Sequence, residues 1–507
     1  MTPNPYAANR LAAALRDASL GREDAPFAEG MRYADLWAGA ERMAAALASA
    51  GVAPGDRVAA QVEKSLAALQ LYLGAVLAGA AFLPLNTAYT PAEIGYFLGD
   101  AEPAVFVCDP ARAAALAPLA GAARVLTLDA AGAGTLAEAA AAQGGFAAVP
   151  RGPDDLAGIL YTSGTTGRSK GAMLSHENLA SNSLALRDCW RFTAADILIH
   201  ALPIFHTHGL FVATNVTLMA GGSVIFMARF DADAVIAALP RATAMMGVPT
   251  FYTRLLDHPG LTRAAAAHMR LFVSGSAPLL AETHRAWESR TGHAILERYG
   301  MTETSMITSN PYDGARVAGT VGFALPGVRV RVADPETGRA LPPGEVGSVE
   351  VKGPNVFRGY WRMPEKTAAE FRGDGFFITG DLGVMDAEGR LSIVGRSKDL
   401  IISGGFNVYP SEVETLIDAQ PGVRESAVIG LPHPDFGEGV AAVVTALPGA
   451  DVQEAAVLAA LAADLAAYKR PKRVFVVDEL PRNAMGKVQK AELRRRYADA
   501  FQPAGGR

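Results

Sequence analysis

The segment 156–179, LAGILYTSGTTGRSKGAMLSHENL, carries the densest set of groups that could do chemistry. An apolar run enters a loop of Gly, Thr and Ser that ends at Lys170, and a capped helix is expected after it. Gly164, Gly167 and Gly171 allow backbone N–H groups to converge on one concavity. Thr162, Ser163, Thr165, Thr166 and Ser169 add hydroxyl donors, and Lys170 adds positive charge, a combination that suits a phosphate. A surface loop without a ligand has the same composition. The spacing departs from a Walker loop, because Lys170 follows too closely on Gly167 and Gly171 stands where Ser or Thr would hold magnesium. No GxGxxG follows a strand here, which disfavours a dinucleotide oxidoreductase.

Other strings carry single groups. In ERYGMTET, Tyr299 offers a flat face to a purine, while Thr302 and Glu303 offer oxygen ligands to phosphate-bound Mg²⁺; an isolated Glu is also commonly just solvated. Asp381 closes the apolar run of FFITGDLG, where a carboxylate accepts hydrogen bonds from ribose hydroxyls or caps a turn. His206 and His208 in LPIFHTHGL could share a strand face and a metal, although no third ligand stands nearby; the alternative is an interior His satisfied by its neighbours. Lys487 follows Gly486 in a polar turn and on its own reads as a surface lysine. In GSAPLLAETHRAW, Ser276 and Arg285 stand out: a guanidinium facing an interior site would pair with a carboxylate, and one on an outer helix face would meet solvent. Met306 lines a pocket or fills the core.

These residues need a scaffold that brings distant segments together. Through the first 240 or so residues, short β-rich runs (RVAAQV, AAFLPL, AVFVCD, RVLTL) alternate with Ala/Leu-rich helical stretches, which predicts layered α/β architecture with largely parallel sheets. From 328 to 351 the pattern changes to alternating strands and turns, a small antiparallel β subdomain. The charged turn at 396–398 marks the main boundary, giving a large N-terminal domain over 1–396 and a small α+β domain over 397–507. There Ser411 and Glu414 predict a capping box and 452–467 a helix.

Composition narrows the partners. The chain has 507 residues, half of them hydrophobic and 19% charged, enough for more than one packed core. Its formal net charge of -5 lacks the basic excess of a nucleic-acid binder. Cys108 and Cys189, far apart and without a CxxC, support neither a disulfide framework nor a zinc site, and a reducing, cytoplasmic setting is expected. The uncharged run 65–89 reads as a buried helix and strand rather than a membrane span, since it holds Gln70 and breaks at Gly79 and Pro84. No membrane or nucleic-acid partner is expected.

The phosphate-loop string closely resembles that of the adenylate-forming acyl-CoA synthetases, relatives of luciferase and the nonribosomal peptide adenylation domains. The resemblance recurs in order along most of the chain, at LPIFHTHGL, GSAPLL, ERYGMTET, GYWRMPEKT, FFITGDLG, GRSKDLIISGGFNVYPSEVE and LPRNAMGKVQK. It implies ATP and Mg²⁺, coenzyme A as co-substrate, and a reaction through an acyl-adenylate. It places ATP on Thr162, Ser163, Gly164, Thr165, Thr166, Gly167, Lys170, Glu297, Tyr299, Gly300 and Thr302. It gives Glu303 the metal, Asp381 and Arg396 the ribose, and Lys487 the acid, the α-phosphate and the bridging oxygen. His206 falls in the acid-binding region, with Met301 beside the acyl-adenylate. It makes the C-terminal domain mobile about Lys398, the hinge position, and has Gly404, Gly405 and Phe406 line the coenzyme A channel. Within the superfamily the chain is similar to malonyl-CoA synthetases, which implies malonate as the acid, methylmalonate as a second substrate, and Arg285 with Ser276 and Met306 as the groups that choose it. Alternatives are a ligase for another small acid, an enzyme loading a carrier protein, or an inactive nucleotide sensor.

Overall fold

The computed structural model describes residues 3–162, 169–404, 406–462, 464–483 and 486–501. The calls on Ser163, Gly164, Thr165, Thr166, Gly167 and Gly405 lie outside the described residues. The chain forms two compact units, one made of Met1–Ala318, Gly322–Arg329 and Val351–Phe377, the other of Gly319–Val321, Val330–Glu350 and Ile378–Arg507.

The first unit is layered α/β, as the alternation predicted. One sheet runs in the spatial order Arg124–Thr127, Val105–Cys108, Arg57–Gln61, Ala81–Pro84, Leu156–Thr162, Lys170–Ser175, parallel until its last, antiparallel pair. The other runs Ser223–Phe226, Ile197–His200, Ala244–Gly247, Leu271–Ser274, Leu296–Met301, Ser305–Ser309, Phe323–Ala324, with its first five strands parallel and the last two added antiparallel. Strands such as VFVC and LFVS are buried at every position because both faces are covered. The 65–89 run becomes the helix Leu66–Leu77, capped by the Ser65 hydroxyl on the Ala68 N–H, and the buried strand Ala81–Pro84. Among the described residues no helix is long and apolar enough to cross a membrane. After the phosphate-loop segment the chain first returns as the strand Lys170–Ser175, and only then enters the helix His176–Cys189, capped by Ser175.

The second unit holds a four-stranded sheet in the order Arg329–Ala333, Val346–Lys352, Phe377–Met385, Leu391–Arg396. A five-stranded sheet follows, built on the long antiparallel pair Val423–His433 and Gly437–Ala446. The division expected between 396 and 397 therefore falls inside this unit. Part of the reason is local: the Ser411 hydroxyl donates to the Val394 carbonyl. That same bond removes the expected capping box. The helix Pro410–Asp418 starts from Tyr409 without a side-chain cap, and Glu414 instead accepts from the Val428 N–H at 2.7 Å and from Lys490 at 2.5 Å. The helix expected over 452–467 is the shorter Glu454–Ala460.

Candidate functional site

The phosphate-loop segment bridges two antiparallel strands whose last pair is Thr162 opposite Lys170. The hairpin thus carries Lys170 back toward the sheet end, where its Nζ meets Glu370 Oε1 at 3.0 Å and lies 3.9 Å from the centre of the Tyr360 ring. The Tyr360 hydroxyl is 2.6 Å from Glu370 Oε2 and 3.0 Å from Glu303 Oε1. Burial first, and then the Glu303 carboxylate, push the Tyr360 phenol well above its ordinary range.

Glu303 follows the strand Leu296–Met301, which turns back antiparallel into Ser305–Ser309. The turn requires Gly300: a Cβ there would lie 2.0 Å from the Ser305 carbonyl oxygen. Tyr299, Gly300, Met301 and Thr302 are half-buried along this edge, and Glu303 is buried. Glu297 is buried, with its carboxylate 3.1 Å from His284 Nδ1, so its side chain is held by the neighbouring helix. Met306 is buried, and its backbone is clamped by Asn182, whose amide donates to its carbonyl at 2.7 Å and accepts from its N–H at 3.1 Å.

The structure corrects the choice of arginine. Arg285 lies on the helix Ala281–Thr291, which buries Thr283, His284, Trp287 and Thr291; at 100° per residue position 285 points away from that face, and it is exposed. The interior guanidinium belongs to Arg298, which is 4% exposed and whose Nε and Nη2 have no hydrogen-bond partner. Burial pulls its pKa down to about 9, with Tyr252 acting in the opposite direction. Gly275 makes room for it, since a Cβ at that position would lie 2.4 Å from the Arg298 Cζ. Beside it, His208 Nδ1 is 3.2 Å from the Ser276 hydroxyl, and His208 Nε2 is also buried without a partner. Burial, then the Arg298 charge, keep this imidazole neutral far below its usual range. Ser276 has φ +73° and Ser305 φ +49°, two non-glycine residues in the left-handed region within this cluster.

His206 is half-buried, and its Nδ1 accepts from the His208 N–H at 3.2 Å. The two histidines therefore do not share a strand face; His208 begins the π-helical turn His208–Thr214. Both Nδ1 atoms are engaged within the protein, and among the described residues no group of three or more His, Cys, Asp or Glu could hold a metal. A magnesium ion in this chain would rest on Glu303 together with phosphate oxygens and water, the usual donor set for that ion.

Sequence reasoning missed Arg298 and weighed His208 only as a metal ligand or an interior residue. The available signal for Arg298 was an adjacent charged pair, Glu297 and Arg298, inside the otherwise apolar run AILERYGM, on a strand flanked by partners on both sides.

In the second unit, Asp381 and Arg396 are opposite each other on paired strands, with Arg396 Nε 2.7 Å from Asp381 Oδ1. Asp381 is buried. Lys398 sits in the 3₁₀ turn Ser397–Asp399, where burial lowers its pKa, and the neighbouring Asp399 is held by Arg494 at 2.7 Å. Lys487 keeps an exposed face overall, yet its ammonium is crowded. Desolvation first, then the Arg396 charge, draw its pKa down to about 8, while Asp381 pulls the other way. Lys487 thus lies within electrostatic reach of the Asp381–Arg396 pair. Phe406, 57% exposed, stands 4.8 Å from the Tyr468 ring centre, and Gly404, two positions earlier, takes φ +58°.

Known proteins resemble this chain along most of its length. Residues 7–361 match the AMP-binding enzyme family model, and residues 412–487 match the AMP-binding enzyme C-terminal domain. The crystal structure of ATP-bound MatB from Rhodopseudomonas palustris superimposes with a TM-score of 0.95 at 61% identity, covering 98% of this chain and all of that one. A feruloyl-CoA synthase from Amycolatopsis is 39% identical over 472 residues, 92% of this chain and 94% of that protein. A malonate–CoA ligase from Arabidopsis thaliana is 39% identical over 373 residues, 68% of this chain and 61% of that protein.

Proposed function

Because this chain belongs to the AMP-binding enzymes, we propose that it joins malonate to coenzyme A at the expense of ATP, releasing AMP and diphosphate. The observation that carries the choice of acid is the buried guanidinium of Arg298 with two unpartnered nitrogens. An aromatic acid such as ferulate would leave that cation desolvated and unpaired. A small dicarboxylate supplies the missing partner in bidentate geometry and leaves its second carboxylate to react.

A carboxylate is a poor electrophile. One carboxylate oxygen attacks the α-phosphorus of ATP, the bond to diphosphate breaks, and the mixed anhydride formed loses AMP to the thiol of coenzyme A. Positioning and charge compensation dominate such a transfer. Arg298 fixes the distal carboxylate, and the neutral His208, oriented by Ser276, offers a hydrogen bond without adding a second buried charge. Lys170 offsets phosphate charge, Tyr299 stacks on the purine, and Asp381 with Arg396 receives the ribose. Lys487 brings its ammonium to the charge that develops during adenylation. Magnesium held by Glu303 would neutralise the departing diphosphate. On this reading the chain beyond Lys398 gives up the Ser411–Val394 bond and turns between the half-reactions, so that Gly404, Gly405 and Phe406 line the path of the thiol in the second. Methylmalonate is a second substrate on this reading, because one methyl group shifts discrimination by only about 1–3 kcal/mol.

The test is acid-dependent release of AMP and diphosphate, with coenzyme A present, across malonate, methylmalonate, acetate, benzoate and ferulate. Malonate should lead. Faster turnover of benzoate or ferulate would refute the dicarboxylate assignment, and release of ADP would refute adenylation altogether.

A further inference from the structure

Glu370 and Tyr360 have no place in the reaction as described, yet they contact two of its groups. Lys170 Nζ is 3.0 Å from Glu370 Oε1, with side chains only 14% and 21% exposed. Lys366 Nζ reaches the same oxygen at 3.1 Å. The Tyr360 hydroxyl is 2.6 Å from the other Glu370 oxygen and 3.0 Å from Glu303. A phenol carries one proton, so it cannot donate fully to both carboxylates, and a change at either one is felt at the other. Lys170 is therefore already charge-compensated before any nucleotide arrives, by a carboxylate that a second ammonium also serves.

We propose that Glu370 is a resting counter-ion for Lys170, occupying it until the β- and γ-phosphates of ATP displace the carboxylate and recapturing it when diphosphate leaves. Lys366 keeps Glu370 neutralised during the exchange, so no carboxylate is stranded. One ion pair breaks as another forms, with no covalent step. Glu370 is a positioning residue here: it lowers affinity for triphosphate and diphosphate alike and so eases product release. The proposal rests on the reading of Lys170 as a phosphate-binding group.

The test is calorimetric titration of the full chain with a non-hydrolysable ATP analogue, with diphosphate and with AMP. Glu370→Gln, which keeps shape and removes charge, should bind the analogue and diphosphate about three- to tenfold more tightly, the effect of losing a partly buried competing ion pair. AMP, lacking the outer phosphates, should bind as in the parent. Glu370→Ala repeats the comparison should the amide variant not accumulate. Unchanged or weaker binding of the analogue in these variants would overturn the counter-ion role. Lys170→Ala separates the two readings. If it costs tenfold or more in analogue affinity while Glu370→Gln gives no gain, only the counter-ion role fails. If it binds the analogue as the parent does, the phosphate role of Lys170 fails and takes this proposal with it.

Discussion

Replacing Arg298 by Met should move stability and activity in opposite directions. Burial in the folded protein lowers the pKa of this guanidinium far below its ordinary value, to about 9. A cation whose folded pKa lies below its unfolded value is a burden at every pH below about 9, and the burden lifts only as pH rises from there toward the ordinary guanidinium range. By linkage it is on the order of 5 kcal/mol at neutral pH, before local relaxation reduces it. Removing the charge while keeping an apolar side chain of similar length should therefore raise stability at pH 7 by about 1–3 kcal/mol. Activity should fall, because a buried carboxylate would lose its charged partner. That costs about 2–5 kcal/mol, or roughly 30- to 4,000-fold in kcat/KM for malonate. Propionate, with no distal carboxylate, should be turned over at the parental rate or better. The assay is diphosphate release with each acid, paired with urea unfolding of the unliganded protein. An equal loss with both acids together with lower stability would make Arg298 a part of the fold rather than a selector. An unchanged malonate rate would move the selection to another group.

Gly275→Ala should displace the same guanidinium, because the new Cβ would lie 2.4 Å from Cζ and 2.5 Å from Nη1; the expected result is a malonate KM raised at least about tenfold and a stability cost of about 1–3 kcal/mol, read from kinetics and unfolding together. Lys487→Ala should abolish malonate-dependent exchange of diphosphate into ATP yet still form thioester from supplied malonyl-adenylate; equal loss of both steps would contradict the division of labour. With its pKa lowered to about 8, Lys487 in the unliganded enzyme should be the lysine side chain that trinitrobenzenesulfonate labels fastest at pH 8. Asp381→Asn should shift the midpoint of that labelling to lower pH, since Asp381 holds it up. Asp196→Ala should destabilise by about 3–5 kcal/mol, because Asp196 is 4% exposed in its side chain and pairs with Arg270 at 2.6 Å. Desolvation acts upward on this carboxyl, but the bonds from Arg270 and Thr243 hold its pKa below the ordinary value. The contribution is therefore present above the unfolded carboxylate pKa and is lost as pH falls through the folded one, which acid titrations of both proteins would show.

What could be read in advance depended on how local the determining forces are. Buried parallel strands announce themselves as short unbroken apolar runs. The pairing of Asp381 with Arg396 follows from two strands that neighbour each other in the chain and in the sheet. The capping box at Ser411 and Glu414 failed because both side chains found partners outside their own helix, the Val394 carbonyl and the Val428 N–H. No local pattern contains that competition. The phosphate segment was read as running straight into a helix, because nothing in its composition distinguishes a returning strand of six residues from the first turns of that helix.

The exchange of Arg285 for Arg298 has a more general cause. Which helix face turns inward at 281–291 is settled by Trp287, packed edge-on against Tyr252 and Phe272 with ring centres 4.9 Å apart in each case, and that aromatic cluster commits Arg285 to the outside. Arg298 sits where propensity argues against it: inside a buried strand, its guanidinium against a glycine, beside a serine with positive φ, with two nitrogens unbonded. Each feature alone disfavours folding, and all of them border one small volume. Folding a chain for stability alone would remove them, by an apolar side chain at 298 and a glycine at 276. Their concentration around a single cation is what a pocket for a small dianion demands, since the charge must be desolvated before the ligand arrives if binding is to distinguish a second carboxylate from a methyl group.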